Sequence, residues 1–332
     1  MSYIYEALLR AERERQQRPS SPEDPEERTS GKAHAAGTAP AQVSSPMPMP
    51  APAPASAPNE VSASPLPEAS LEDVEAAPAY EWNPVRPSFP TLEAYGRGLE
   101  QFRSLRSHLY QARKEMPLKT VLVSSGMPSE GKSFVAANLA MSLARNEKRV
   151  LLIDGDLRRP SLNHMLGAPN ETGLSDYLAG CAEPLAILQR YSASGAQSAE
   201  DASVLSSLTF IPTGTHHENA SELMNNRLFD TLISSLSPSF DWIVIDTPPA
   251  LVFADAIDLA RVADAVLLVV RGAQTTYEVA RRAQASFANA HILGVVLNDI
   301  RNPPRRESYY DDYYYYGKRD AKPAADSQRE VE

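Results

Sequence analysis

The ten residues Ser124-Ser125-Gly126-Met127-Pro128-Ser129-Glu130-Gly131-Lys132-Ser133 set two glycines, a lysine and a terminal hydroxyl at a spacing suited to gripping phosphate. Gly126 and Gly131 let the backbone turn tightly, so that successive N–H groups and the N-terminus of the following helix converge on phosphate oxygens. Lys132 then reaches the β/γ-phosphates and Ser133 holds Mg²⁺. Gly126, Met127, Ser129, Glu130, Gly131, Lys132, Ser133 and Phe134 are the residues expected to line a bound nucleotide.

Three aspartates could serve the same phosphate. Val150-Leu151-Leu152-Ile153-Asp154-Gly155-Asp156 delivers Asp154 and Asp156, and Trp242-Ile243-Val244-Ile245-Asp246 delivers Asp246. Mg²⁺ usually takes one or two carboxylates besides phosphate oxygens and water, so three exceed its need. A spare carboxylate beside a γ-phosphate is a candidate general base for an incoming nucleophile. Each aspartate alone could equally be a turn or capping residue at a strand end.

A third chemical feature lies far downstream, where Tyr309, Tyr310, Tyr313, Tyr314, Tyr315 and Tyr316 put six of the chain's 14 tyrosines into eight positions. In a polar, proline-preceded tail this run is not core, and as a strand it would invite aggregation. It is read as a set of phosphate acceptors, with a sticky contact surface as the plainer alternative. A tyrosine hydroxyl is protonated at neutral pH, so transfer to it benefits from a carboxylate that takes the proton. From Asn298 to Tyr309 an extended chain spans up to roughly 36–40 Å, enough to reach its own site or a neighbour's.

The elements that must position these groups alternate in pattern. Strands are expected at 120–124, 149–154, 208–212, 242–246, 265–270 and 292–297. Helices are expected at 132–146, 220–236, 254–261 and 275–290, with helical pieces between 161 and 189. Runs such as Val150–Ile153 and Ala265–Val270 are continuously apolar, as in a parallel sheet covered on both faces. The fold class is therefore α/β: a doubly wound, mostly parallel sheet of the P-loop NTPase type, with ligands at the strands' carboxyl ends. Ahead of it, a helical pattern over 92–112 puts Glu100, Arg103 and Arg106 at three-residue steps on one side and Phe102, Leu105 and Leu109 on another. Those charges read either as a solvated ladder or as a contact surface.

Sixteen of the 28 prolines precede Thr91, so 19–90 is read as a disordered Pro/Ala-rich linker. Residues 1–18 are read as a short amphipathic docking helix, with a frayed end as the plainer alternative, 91–300 as the globular domain and 301–332 as a flexible tail. A net charge of −10 without a basic stripe argues against nucleic-acid binding. The lone Cys181 rules out an intrachain disulfide and suits a reducing cytoplasm. No apolar run reaches membrane-spanning length and the N-terminus has no signal-peptide pattern.

From about Tyr95 to Tyr316 the chain resembles the bacterial protein-tyrosine autokinases of capsule and exopolysaccharide synthesis. The phosphate loop, Leu151–Asp156 with its Leu157-Arg158-Arg159-Pro160 continuation, Ile245-Asp246-Thr247-Pro248-Pro249, the 212–223 connection and the terminal tyrosines carry the resemblance. It implies ATP and Mg²⁺ at Lys132 and Ser133, a metal site served by Asp156 and Asp246, and Asp154 as base. It implies that Glu100, Arg103 and Arg106 join subunits in a homo-oligomeric ring, with tyrosines phosphorylated between neighbours. It further implies a separate membrane-spanning co-polymerase that activates the kinase, a cognate phosphotyrosine phosphatase, and a cytoplasmic protein recruited to the membrane's inner face. The alternative is a non-kinase P-loop ATPase of the partitioning or positioning type. Those ATPases carry a second lysine after the first loop glycine, where this chain has Met127. Within the kinases, Ser129 departs from the usual glycine; a small residue there is expected to be tolerated, at some cost in loop strain.

Overall fold

The computed structural model describes residues 66–300, except 147, 193–197, 216–226 and 273. The expected helix at 1–18, the linker up to 65, the tyrosine tail and the first turns of the helix expected at 220–236 lie outside the described residues.

Eight strands form one sheet: β1 (Ala79–Tyr80), β2 (Thr120–Ser125), β3 (Val150–Asp154), β4 (Gln189–Tyr191), β5 (Leu208–Ile211), β6 (Trp242–Asp246), β7 (Ala265–Arg271) and β8 (Ile292–Asn298). Their spatial order is β1-β4-β5-β3-β6-β2-β7-β8, parallel at every pairing except β4 with β5. β2, β3, β6, β7 and β8 therefore end at one edge, which brings the phosphate loop and the strand-end aspartates together. Asp154 and Asp246 are direct register partners.

Side-chain alternation sends the apolar strands' residues into two cores. On one face, Val121, Val123, Val150, Leu152, Trp242, Val244, Leu267 and Val269 pack under α2 (Arg97–Glu115) and α3 (Lys132–Ala144). Every residue from Val135 to Ala144 is buried, so α3 is a central helix rather than an amphipathic one. On the other face, Leu122, Leu151, Ile153, Ile243, Ile245, Val266 and Leu268 meet α7 (Leu228–Leu236), α8 (Asp255–Leu259) and α9 (Tyr277–Ser286). Short helices α4 (Leu162–Leu166), α5 (Leu174–Leu178) and α6 (Ala199–Ser206) fill the connections.

The globular domain begins before residue 91. Residues 66–90, expected within the linker, include α1 (Leu71–Glu75) and β1 and pack along the domain. Trp82 sits against Tyr191 and Phe210 (ring centroids 5.8 and 6.2 Å away), and Phe89 is fully buried. The hydroxyls of Ser235 and Ser239 donate to the carbonyls of Pro67 and Ala69 at 2.6 and 2.7 Å. Proline-rich composition hid these anchors, because a few large apolar side chains bury enough area to order a segment whose average residue is poor core material. No helix among the described residues is long and apolar enough to cross a membrane.

Candidate active site

The loop between β2 and α3 is shaped by two residues with positive φ, Ser129 at 64° and Gly131 at 92°. A Cβ on Gly131 would lie 2.0 Å from Asn298 Nδ2, so another residue there would displace that amide as well as strain the backbone. Serine takes up the left-handed region less readily than glycine, so the loop accommodates Ser129 at a conformational cost. Glu130 turns beneath the loop, where its carboxylate accepts the Met127 N–H at 2.7 Å and the Thr275 hydroxyl. The Ser125 hydroxyl donates to the Met127 carbonyl at 2.9 Å. The ring of Phe134 packs edge-on against Phe102 of α2, centroids 5.8 Å apart. Its backbone opens the first turn of α3 beside Ser133.

Lys132, the first residue of α3, places Nζ 2.7 Å from Asp156 Oδ2, 3.6 Å from Asp246 Oδ2 and 3.2 Å from Ser133 Oγ. The three aspartates expected at one site are thus gathered around the loop's cation. Gly155 lets the ends of β3 and β6 close together: its N–H donates to the Asp246 carbonyl at 2.9 Å, and a Cβ there would stand 2.6 Å from that oxygen.

Their surroundings differ. Asp154 is fully buried and accepts backbone N–H bonds from Asp156, Ser161 and Leu162 at 3.1–3.2 Å, which pins the turn from β3 into α4. Burial, followed by the charge of Asp246, pushes its pKa up to about 7, against the backbone donors and Lys132. Asp246 is raised to about 6, burial again leading, while Lys132 and Ser133 hold it down and Asp156 pushes it up. Burial alone would lower the pKa of Lys132, but Asp246 and Asp156 outweigh it and the ammonium is held above its usual value. Asp156 also accepts the Arg159 N–H at 3.0 Å.

The donor set fits a magnesium ion. Both carboxylate oxygens of Asp246 are buried without a hydrogen bond of good geometry, and the Ser133 hydroxyl and Asp156 supply further hard oxygen donors beside it. Held by these residues, the ion would supply Lewis-acid charge neutralisation to a bound nucleotide.

Sequence reasoning missed a group of residues behind the loop. Arg271 and Asn298, at the ends of β7 and β8, contact the loop backbone, Thr275 just after β7 contacts the Glu130 side chain, and Asp299 just after β8 pairs with Arg271. Parallel strand order places those ends at the site, but nothing in their residue types announces the role. Arg158, in the continuation after Asp156, pairs with buried Asp255 at 2.9 Å and lies over the Phe253 ring at 4.3 Å. It thereby ties the turn after β3 to the segment after β6. The helix charges separate: Glu100 and Arg103 pair with each other at 2.5 Å on the surface, whereas Arg106 Nη1 donates to the Ser142 carbonyl of α3.

Comparison with known proteins agrees with this architecture. Residues 118–325 match the family profile described as ParA, NUBPL iron-transfer P-loop NTPase. The tyrosine-protein kinase YwqD of Bacillus subtilis is 34% identical over 201 residues, which cover 60% of this chain and 80% of that protein. The tyrosine-protein kinase wzc of Salmonella typhimurium is 33% identical over 262 residues, 72% of this chain, and the chain spans only 34% of its length. Among solved structures, the kinase domain of the Escherichia coli tyrosine kinase ETK superposes with a TM-score of 0.56 at 29% identity, covering 61% of this chain and 77% of that one. The P-loop NTPase fold carries nucleotide binding, and the chain belongs to the bacterial protein-tyrosine kinase family built on that fold.

Proposed function

We propose that this protein is an ATP-dependent protein-tyrosine autokinase that phosphorylates its C-terminal tyrosine cluster between neighbours in a homo-oligomeric ring. In this role it would regulate capsule or exopolysaccharide synthesis and export. The observation that carries the reading is the convergence of Lys132, Asp154, Asp156 and Asp246 on the loop. Hydrolysis by water would also use a carboxylate. Asn298, however, bonds the loop at the point where the chain sets off toward Tyr309, which favours an acceptor carried by the protein itself.

Lys132 neutralises charge on the transferring group, and the N–H groups of the loop and of the first turn of α3 orient it. Ser133, Asp156 and Asp246 would hold Mg²⁺. Asp154 takes the tyrosine proton, a task for which a pKa near the working pH suits it. Each phosphate adds about −1.5 to −2 charge, so six would give the tail roughly −9 to −12 and drive it from an acidic site. By resemblance, the partners are a separate membrane-spanning co-polymerase that activates the kinase at the membrane's inner face and a phosphotyrosine phosphatase.

The match to the ParA profile favours one rival, a partitioning-type ATPase whose tail is only a contact surface. Incubation of the full chain with Mg·ATP, followed by mass analysis of the tail, separates the two. Phosphotyrosine that disappears in Lys132→Met supports the kinase. ATP hydrolysis without phosphotyrosine, even with an activator fragment present, defeats it.

A further inference from the structure

The phosphate loop is braced from behind by the ends of β7 and β8. Arg271, the last residue of β7, directs Nη1 at the Ser129 carbonyl in a long hydrogen bond of 3.4 Å, while its Nε and Nη2 donate to Asp299 Oδ2 at 2.9 and 2.8 Å. Asn298, the last residue of β8, donates Nδ2 to the Glu130 carbonyl at 3.0 Å. The Arg271 N–H donates to Thr275 Oγ1, and that hydroxyl donates onward to Glu130. Ser129 and Glu130, which lead into the turn at Gly131, are thus each tied to residues outside the loop.

Strain sits where the brace attaches. Ser129 and Asp299 both hold left-handed backbone, with φ of 64° and 52°, in a region that disfavours residues bearing a Cβ. The Asn298 amide also sits close enough on Gly131 that a side chain there would push it off its bond to the Glu130 carbonyl. An exposed serine peptide in that conformation needs an outside partner to keep it from relaxing, and Arg271 reaches its carbonyl. The Arg271–Asp299 pair is itself part-exposed, with side chains 29% and 36% accessible. Pairs of that kind add little to global stability, so an effect on ligand binding can be told apart from an effect on folding.

We propose that Arg271, oriented by Asp299, is a positioning residue of the nucleotide site that fixes the Ser129–Glu130 peptide and couples the loop to the chain at residues 298–300. The inference rests on the nucleotide reading of the loop and is independent of which group accepts the phosphoryl. Because residues 298–300 lead directly into the C-terminal segment, phosphate bound in the loop and the conformation of that exit become mutually dependent. Such coupling is reciprocal by linkage.

The test is calorimetric binding of Mg·ADP to the full chain, with the melting temperature measured beside it. Arg271→Gln is expected to weaken binding about 5- to 10-fold, the effect of one lost charged hydrogen-bond partner. The melting temperature of the nucleotide-free protein should stay within about 2 °C. Asp299→Asn should weaken binding to a similar degree and add nothing in the Arg271→Gln background, since Asp299 acts through Arg271. Saturating Mg·ADP should slow amide exchange at 298–300 in the unaltered chain and not in Arg271→Gln. Unchanged affinity in either single variant overturns the proposal, as do additive losses in the double variant or a fall in melting temperature that accounts for the weaker binding. Failure of the unaltered chain to bind Mg·ADP overturns the nucleotide reading and this proposal with it.

Discussion

Lys132 Nζ rests 2.7 Å from Asp156 Oδ2, so the cation of the phosphate loop is tied to a carboxylate delivered by the next strand in sequence. With Asp246 3.6 Å away on the neighbouring strand, a single ammonium offsets a cluster of buried aspartates. Lys132→Met should abolish tail phosphorylation, a loss on the order of 10²–10³-fold or more for removal of one electrostatic stabiliser. It should also lower the stability of the nucleotide-free protein, because the carboxylates are then left uncompensated. Radiolabel incorporation and thermal melts read the two effects separately.

The pH dependence of stability has a definite sign. Asp154 and Asp246 have folded-state pKa values raised from 3.8, to about 7 and about 6. A carboxyl whose pKa is raised on folding binds more protons in the native state, so its contribution to stability is full at low pH and fades as pH climbs through the folded value. Melting temperature in EDTA is therefore expected to fall between pH 4 and pH 7 on account of this coupled pair. Mg·ADP should flatten the slope, since a cation stabilises the ionised forms. A rising profile over that window in both Asp154→Asn and the parent would remove the basis for a poised base.

Asp154 holds the turn into α4 with backbone bonds and is also the proposed base. Asp154→Asn keeps an acceptor for Ser161 and Leu162 but cannot take a proton. Phosphorylation rate should drop about 10²–10⁴-fold, with Mg·ADP affinity changed only a few-fold. Retention of rate would move the base role to another carboxylate.

Much of this site was legible in the sequence because period and spacing encode it. Continuous apolar runs before Asp154 and Asp246 required a doubly covered parallel sheet, and parallel strands must end together. The glycine–lysine–serine spacing has no comparable alternative use. The packing of Phe134 on Phe102 does not show in the loop motif because it is set by α2, an element outside that motif. Arg271, Asn298 and Asp299 were invisible for the same reason, since a strand-end arginine or asparagine looks alike whether it faces solvent or a loop. The segment 66–90 was misassigned because averaging over prolines masked Trp82 and Phe89.

Those two aromatics make the boundary testable. A chain beginning at Leu66 should melt cooperatively near the full-length temperature, while one beginning at Thr91 loses β1 and exposes Tyr191, Phe210 and the α3 side of the sheet. Trp82→Ala should cost about 3–5 kcal/mol by the usual cavity and transfer effects. Urea denaturation measures it, and a change below 1 kcal/mol would mean the arm is dispensable.

The charged face of α2 divides into surface and interior parts, and a ring can use only the former freely. Glu100 and Arg103 are exposed and satisfied by each other, whereas Arg106 is engaged by the Ser142 carbonyl, and burial lowers its pKa. Arg106→Ala should therefore weaken α2–α3 packing as well as any assembly, by about 1–3 kcal/mol for a charged hydrogen bond to a part-buried carbonyl. Exchanging the two surface charges, Glu100→Arg with Arg103→Glu, restores the pairing three residues apart within the helix and should leave the monomer's melting temperature nearly unchanged. If the same groups face other, unexchanged charges of a neighbouring subunit, that double exchange must break assembly all the same, since each charge then meets its own sign across the contact; if they face each other, Glu100→Arg alone breaks it. Light scattering at matched concentration decides between them. An unchanged oligomer in both the double exchange and Glu100→Arg alone would return these residues to the role of a solvated ladder.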